Sequence, residues 1–183
     1  MASLAQPGGN ITGISVPLQE LAGKRLEIIK SAVPAADRIA VFIVPGRTAA
    51  KVLRDHEAAA RVLGVAIHPI NVSNGSQFEE AFRDAARARA RALLLTQGPF
   101  FGAHQEIIAA LALKHRLYFG ANTLDACRQL ARFAHRILDG AKPADLPVEE
   151  PTKYELVINL QTAKALGLTI PQPLLLRADR VIQ

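Results

Sequence analysis

The chain carries one cysteine, Cys127, in 183 residues, which excludes an internal disulfide and any multi-cysteine metal site. Cysteine usage alone leaves the compartment open. Aromatics are sparse, with no Trp, two Tyr and seven Phe, and no zinc-finger spacing, RNP-like run or basic arm accompanies them, so nucleic-acid binding is not expected. No apolar run approaches the roughly 18 residues that span a bilayer. Met1 to Gln6 has neither the basic n-region nor the long apolar h-region of a secretory signal. A Walker A loop ending at Gly23-Lys24 would need Gly at position 18, which is Leu18. Gly8, Gly9 and Gly13 do not fit G-x-G-x-x-G and follow no strand pattern, so no dinucleotide cofactor is expected. His56, His68, His104, His115 and His135 fall into no metal-ligand spacing. Each reads as a surface or helix-end residue, and no metal is expected.

Half of the residues are apolar, enough for a real core in one domain or two small lobes. The net charge of +6, from 22 basic and 16 acidic side chains, is spread over several predicted helices and reads as a solvated surface. Six apolar residues, Ile39 to Val44, stand between charged Asp37-Arg38 and the break Pro45-Gly46. A continuous run of this kind marks a parallel strand covered on both faces. Leu18, Leu21, Ala22, Leu26, Ile29 and Val33 recur at helical spacing before it, and Pro34 closes that helix.

After the strand, Thr48 is placed to cap a helix running to Leu63, with Gly64 as its C′ residue, and Val65 to Val72 reads as a second strand. Ser76 and Glu79 form a Ser-x-x-Glu capping pattern for a helix from Gln77 to about Arg89. A third strand, Ala92 to Leu95, a helix from about Ala103 to His115 and a short strand at Leu117 to Phe119 follow. Residues 38–119 thus predict a doubly wound parallel α/β sheet. Thr123 to Leu138 is a further helix, closed by Gly140. Beyond a proline-rich loop lie a strand at Leu156 to Ile158, a helix from Leu160 to Leu166 closed by Gly167, and a last helical turn from Pro173.

Catalytic patterns are weak. Gly13-Ile14-Ser15-Val16-Pro17 approaches a nucleophile elbow but ends in Pro and lacks the strand-turn-helix around it. His104 and Glu106 lie two apart on a predicted helix, where side chains diverge. Cys127 reads as a small buried residue, and the stripe Arg128, Arg132, Arg136 as a solvated face or a dock for an acidic partner. The loops after two strands are more informative: Pro45-Gly46-Arg47-Thr48 and Thr96-Gln97-Gly98-Pro99. In open α/β sheets ligands bind beyond the carboxyl ends of the strands. Position leaves two readings, ordinary β-α turns or the wall of a binding site.

Pro7 to Ser15, Gly23 to Glu27, Gly140 to Val148, and Tyr154 to Leu160 with Ala163 to Pro171 resemble the ABC transporter substrate-binding proteins of the type I periplasmic-binding fold, a group that includes binders of aromatic amino acids. The resemblance implies two α/β lobes closing on a small organic solute such as an amino acid, no catalysis, an ABC permease as partner and a periplasmic location. It divides the chain into a first-lobe remnant and crossover at 1–36, a second α/β lobe at 37–119, and a return crossover with a first-lobe segment at 120–183. Thr12 and Ser15 match the first crossing segment. Pro45, Gly46, Thr48, Gln97 and Gly98 match the second-lobe loops, and Gly120 and Asn122 the return crossing.

Two departures from the family pattern accompany this. The first-lobe segment before Pro7 and a stretch near 118–119 are shorter than the family pattern, so one nearly complete lobe with remnants of the other is expected. Leu21, Leu26, Ile29, Ala131 and Phe133 would then lie exposed or drive self-association into a homo-oligomer. If the chain as given is the whole product, a cytoplasmic location follows. Alternatives are a ligand-sensing regulatory α/β domain, a small cytoplasmic α/β enzyme, or a truncated product without function.

Overall fold

The computed structural model describes residues 18–96, 98–120, 139–142, 145–146 and 156–183. By compactness the chain divides into two units, Leu18–Ala121 with Glu155–Gln183, and Met1–Pro17 with Asn122–Tyr154. The first unit is built on a sheet of four parallel strands in the order β2-β1-β3-β4: β1 Arg38–Ile43, β2 Ala66–Asn71, β3 Ala92–Leu95 and β4 Tyr118–Gly120. Ile39 pairs with Ile67 on one side and Ala92 on the other. This is the expected doubly wound α/β arrangement.

Alternation along β1 decides what covers each face. Ile39, Val41 and Ile43 point one way, with Ala92 and Leu94 of β3, onto α1 (Leu18–Ala32) and α2 (Ala49–Val62), which contribute Leu26, Ile29 and Ala60. Ala40 and Phe42 point the other way, with Leu93 and Leu95, onto α3 (Phe78–Arg87), α4 (Pro99–Ala103) and α5 (Gln105–Lys114). There Phe42 meets Phe82 edge-on at 5.2 Å between ring centroids, a geometry aromatic quadrupoles favour. Pro69 lies in β2, an edge strand, where a missing N–H breaks no ladder bond.

A second, two-stranded parallel sheet joins β5 (Val157–Asn159) to β6 (Arg180–Ile182), with α6 (Leu160–Ala165) and α7 (Gln172–Leu176) between them. Its core joins Ile158, Ala163, Ile170 and Leu174 to Ala32, Val33 and Ala36 at the end of α1. The compact units therefore divide the chain differently from 1–36, 37–119 and 120–183. The reason is burial: the apolar stripe of α1 covers the face of β1, and its end carries the C-terminal segment. Leu26 and Ile29, expected to be exposed, are buried, and Leu21 is half-buried. The α1 face thus gives no drive to self-association. Ala131, Phe133, Cys127, His135 and the helix expected from Thr123 lie outside the described residues.

Several local readings shift. Asn74, not Ser76, caps the turn before α3: its side chain accepts from the Ser76 N–H at 3.1 Å, while Gln77 Oε1 accepts from the Ser73 and Asn74 N–H groups. The helix expected from about Ala103 to His115 stands as α5, and a short helix that was not expected, α4, precedes it and ends at His104. Gly64 and Gly167 stand after helices at φ +64° and +70°, as C′ glycines do.

Candidate functional site

A cavity of about 340 Å³ opens at the carboxyl ends of β1 and β3. It is the topological switch point, because β2 and β3 lie on opposite sides of β1. The floor comes from the strand ends, Ile43 and Thr96. One wall is the loop Val44-Pro45-Gly46 with the start of α2, and another is the stretch Gly98-Pro99-Phe100. α1 closes a third side with Leu21, Ala22 and Arg25, and α2 adds Val52 and His56. α1 and α2 approach closely at Gly23, where an added Cβ would lie 3.8 Å from that of Ala59.

Four of the expected site residues, Pro45, Gly46, Thr48 and Gly98, come together on this cavity. Thr12, Ser15, Gln97 and Asn122 lie outside the described residues. Thr48 occupies the N-cap position of α2, but its side chain makes no capping bond, in contrast to the reading as a cap. Its backbone, at φ −95° and ψ −11°, is already helical, whereas a capping residue is usually extended. Gly46 has open space within 4 Å of where a Cβ would stand, so the backbone there is accessible.

Arg25 and His56 are the residues that the sequence reading passed over. His56 is only 5% exposed, in the middle of α2 rather than at a surface or helix end. Its Nδ1–H donates to the Val52 carbonyl at 2.7 Å, which leaves Nε2 as a buried acceptor with no partner among the described residues. Burial, and to a smaller extent the charge of Arg25, hold its pKa below the ordinary imidazole value against the opposing pull of Val52 and Asp55. The ring is therefore neutral at pH 7. Arg25 is half-buried, and no acceptor or carboxylate among the described residues reaches it. Desolvation lowers its guanidinium to about 10, still charged at neutral pH.

Other histidines serve elsewhere. His104 Nδ1 bonds the Phe100 carbonyl at 2.8 Å and its ring packs on Phe78 and Phe100, so it orders the α4-α5 junction; no bond joins it to Glu106. His68 meets Asp84 at 3.3 Å, and His115 stacks on Phe82. Among the described residues no group of three or more His, Cys, Asp or Glu could hold a metal, and no helix is long and apolar enough to cross a membrane.

An open parallel sheet with a cavity beyond its strand ends, at the switch point, is the arrangement in which open α/β folds hold their ligands. The chain belongs to the ABC transporter substrate-binding protein family, which it matches over residues 1–116 and 97–182. It is similar to a conserved domain protein from Vibrio cholerae, at 25% identity and a TM-score of 0.81 over 98% of this chain and 65% of that one. It is also similar to an ABC domain from Streptococcus pneumoniae solved in complex with L-Trp, at 23% identity and a TM-score of 0.78, over 100% and 68% of the two chains. A ligand-free, open substrate-binding protein with adhesive properties from Clostridium difficile shares the fold at 18% identity and a TM-score of 0.61, over 100% and 66%. The chain thus spans about two thirds of the length of these proteins. None of the curated proteins matches it.

Proposed function

We propose that this chain acts in solute capture for an ABC importer, holding a small organic solute at the cavity between the Pro45 to Thr48 and Thr96 to Pro99 loops. The observation that carries this reading is the position of the cavity at the β1/β3 switch point, in a chain of the substrate-binding family. Apolar walls at Leu21, Val52, Pro99 and Phe100 suit the body of an amino acid or a molecule of similar size. The L-Trp held by the Streptococcus pneumoniae relative supports that size class. In this reading Thr12, Ser15, Gln97 and Asn122 supply further polar contacts to the solute. The partner is an ABC permease, the compartment is the periplasm, and the chemistry is binding without bond making.

A thermal-shift screen of the full chain tests it, using amino acids together with anionic, neutral and cationic organic solutes of similar size. A ligand at a hundred times its Kd adds about 2.7 kcal/mol to stability, which for a chain of this size raises the midpoint by several degrees. Isothermal titration then gives the stoichiometry, expected to be one. A screen in which no solute moves the midpoint would end this reading.

A further inference from the structure

We propose that the solute taken here carries a carboxylate and that Arg25 is the residue that receives it, an inference that rests on the solute-binding reading above. The cavity is charged without compensation: Arg25 lines it, no Asp or Glu does so among the described residues, and no acceptor among them reaches the guanidinium. On the same wall His56 is only 5% exposed, and its Nε2 has no partner among the described residues. It cannot serve as a counter-charge, since a histidine brings either no charge or a positive one. A half-buried cation without an anion costs free energy in the empty protein. Its ordinary complement is an anion delivered from outside, and a planar guanidinium fork fits a carboxylate through two parallel N–H···O bonds.

Position agrees with this. Arg25 sits on α1 one turn beyond Leu21 and Ala22, so the cation is held beside an apolar wall, with Pro99 and Phe100 at the start of α4 also lining the cavity. A solute with an apolar body and one carboxylate would place its anion on Arg25 and its body on those side chains. A carboxylate beside Arg25 would favour its charged form and so oppose the desolvation that lowers it to about 10.

The test uses matched pairs on one skeleton, with the full chain: phenylacetate against phenylacetamide, and L-phenylalanine against L-phenylalaninamide, by isothermal titration, with neutral and cationic solutes from the screen alongside. The acids are expected to bind about 30-fold or more tightly than their amides, the loss that follows when one partner of a desolvated charge pair is removed. In R25M that preference should vanish. R25K, which keeps the charge without the fork, should retain the preference with weaker binding. Met keeps the apolar stem and removes the unpaired charge, so the empty R25M protein should melt no lower than the wild type, which a merely structural arginine would not allow. Solutes that bind regardless of charge, or acids that bind R25M unchanged, would overturn the carboxylate assignment and leave solute capture standing. An R25M protein that fails to fold while R25K binds acids and amides alike would do the same. If no solute binds the wild type, solute capture and the carboxylate assignment fall together.

Discussion

Arg25 and His56 both interrupt an apolar stripe. Leu21, Ala22, Leu26 and Ile29 surround position 25 at helical spacing, and Val52, Leu53, Ala59, Ala60 and Leu63 surround position 56. A polar residue on such a stripe is the signal that could have singled them out; instead His56 reads with the other histidines as a surface or helix-end residue, and Arg25 enters only within the Gly23 to Glu27 stretch that carries the family resemblance. What no local pattern shows is that the two stripes face each other, 31 positions apart. The consequence for pH follows from the neutral ring. With its folded pKa below the ordinary value, His56 takes up a proton in the unfolded chain before it does so in the folded one. Its stability contribution is whole above a pH of about 6.5 and is lost as pH falls from there toward the lower folded pKa. Glu79 acts in the same direction at lower pH, because the hydrogen bond from Lys114 depresses its pKa. His56→Leu should therefore flatten the fall in urea midpoint between about pH 7 and pH 5.5. Equal slopes for variant and wild type would refute the assignment. Gly46 offers a second check, since its Cβ position is open. Gly46→Leu should keep the melting temperature while filling the mouth of the cavity and weakening solute binding about tenfold, in line with the usual cost of overpacking; unchanged affinity would place the solute elsewhere.

At the scale of elements, α3 shows how a cap is misread. Ser76 and Glu79 have the spacing of a capping box, yet a 3-10 turn over Gly75–Gln77 comes first, and Asn74 with Gln77 forms the box. Asn74→Ala should cost about 1 kcal/mol in chemical denaturation. Ser76→Ala should cost less, since its hydroxyl only donates to Asn74 at 2.6 Å. The reverse order would favour the Ser76 reading. Strands β1 and β3 were legible because unbroken apolar runs between turn residues admit few other structures, and Gly64 and Gly167 because a positive φ selects glycine. β6 was not foreseen: Arg180–Ile182 is short and exposed, and only its pairing with β5 makes it a strand. α4 was not foreseen because Gly98-Pro99 reads as a break, whereas Pro99 stands in the first turn of a short helix that ends at His104, whose ring bonds back to the Phe100 carbonyl.

For the whole molecule, the boundary that the sequence could not place is the one at α1. Amphipathic spacing says that Leu26 and Ile29 are buried without saying against what, and the family resemblance assigned them to another lobe. In the structure α1 touches both cores, the sheet face through Leu26 and Ile29 and the C-terminal segment through Ala32 and Val33. The segment is closed on itself by Asp179, whose Oδ2 accepts from the Leu156 N–H at 2.8 Å while its own N–H donates to the Leu156 carbonyl at 2.9 Å, and Arg177 meets Glu27 of α1 at 3.5 Å. If α1 transmits this packing, residues 156–183 and the four-stranded sheet unfold as one cooperative unit. Leu174, 3% exposed in the smaller core, reports on that coupling. Leu174→Ala should cost about 2–5 kcal/mol, and native-state hydrogen exchange should show the amides of Val41 and Phe42 in β1 losing the same amount of protection. Each of those amides exchanges only on global opening if the unit is cooperative. Should β1 keep wild-type protection while amides near Leu174 open freely, the C-terminal segment is an independent unit and the cavity wall at α1 owes it nothing.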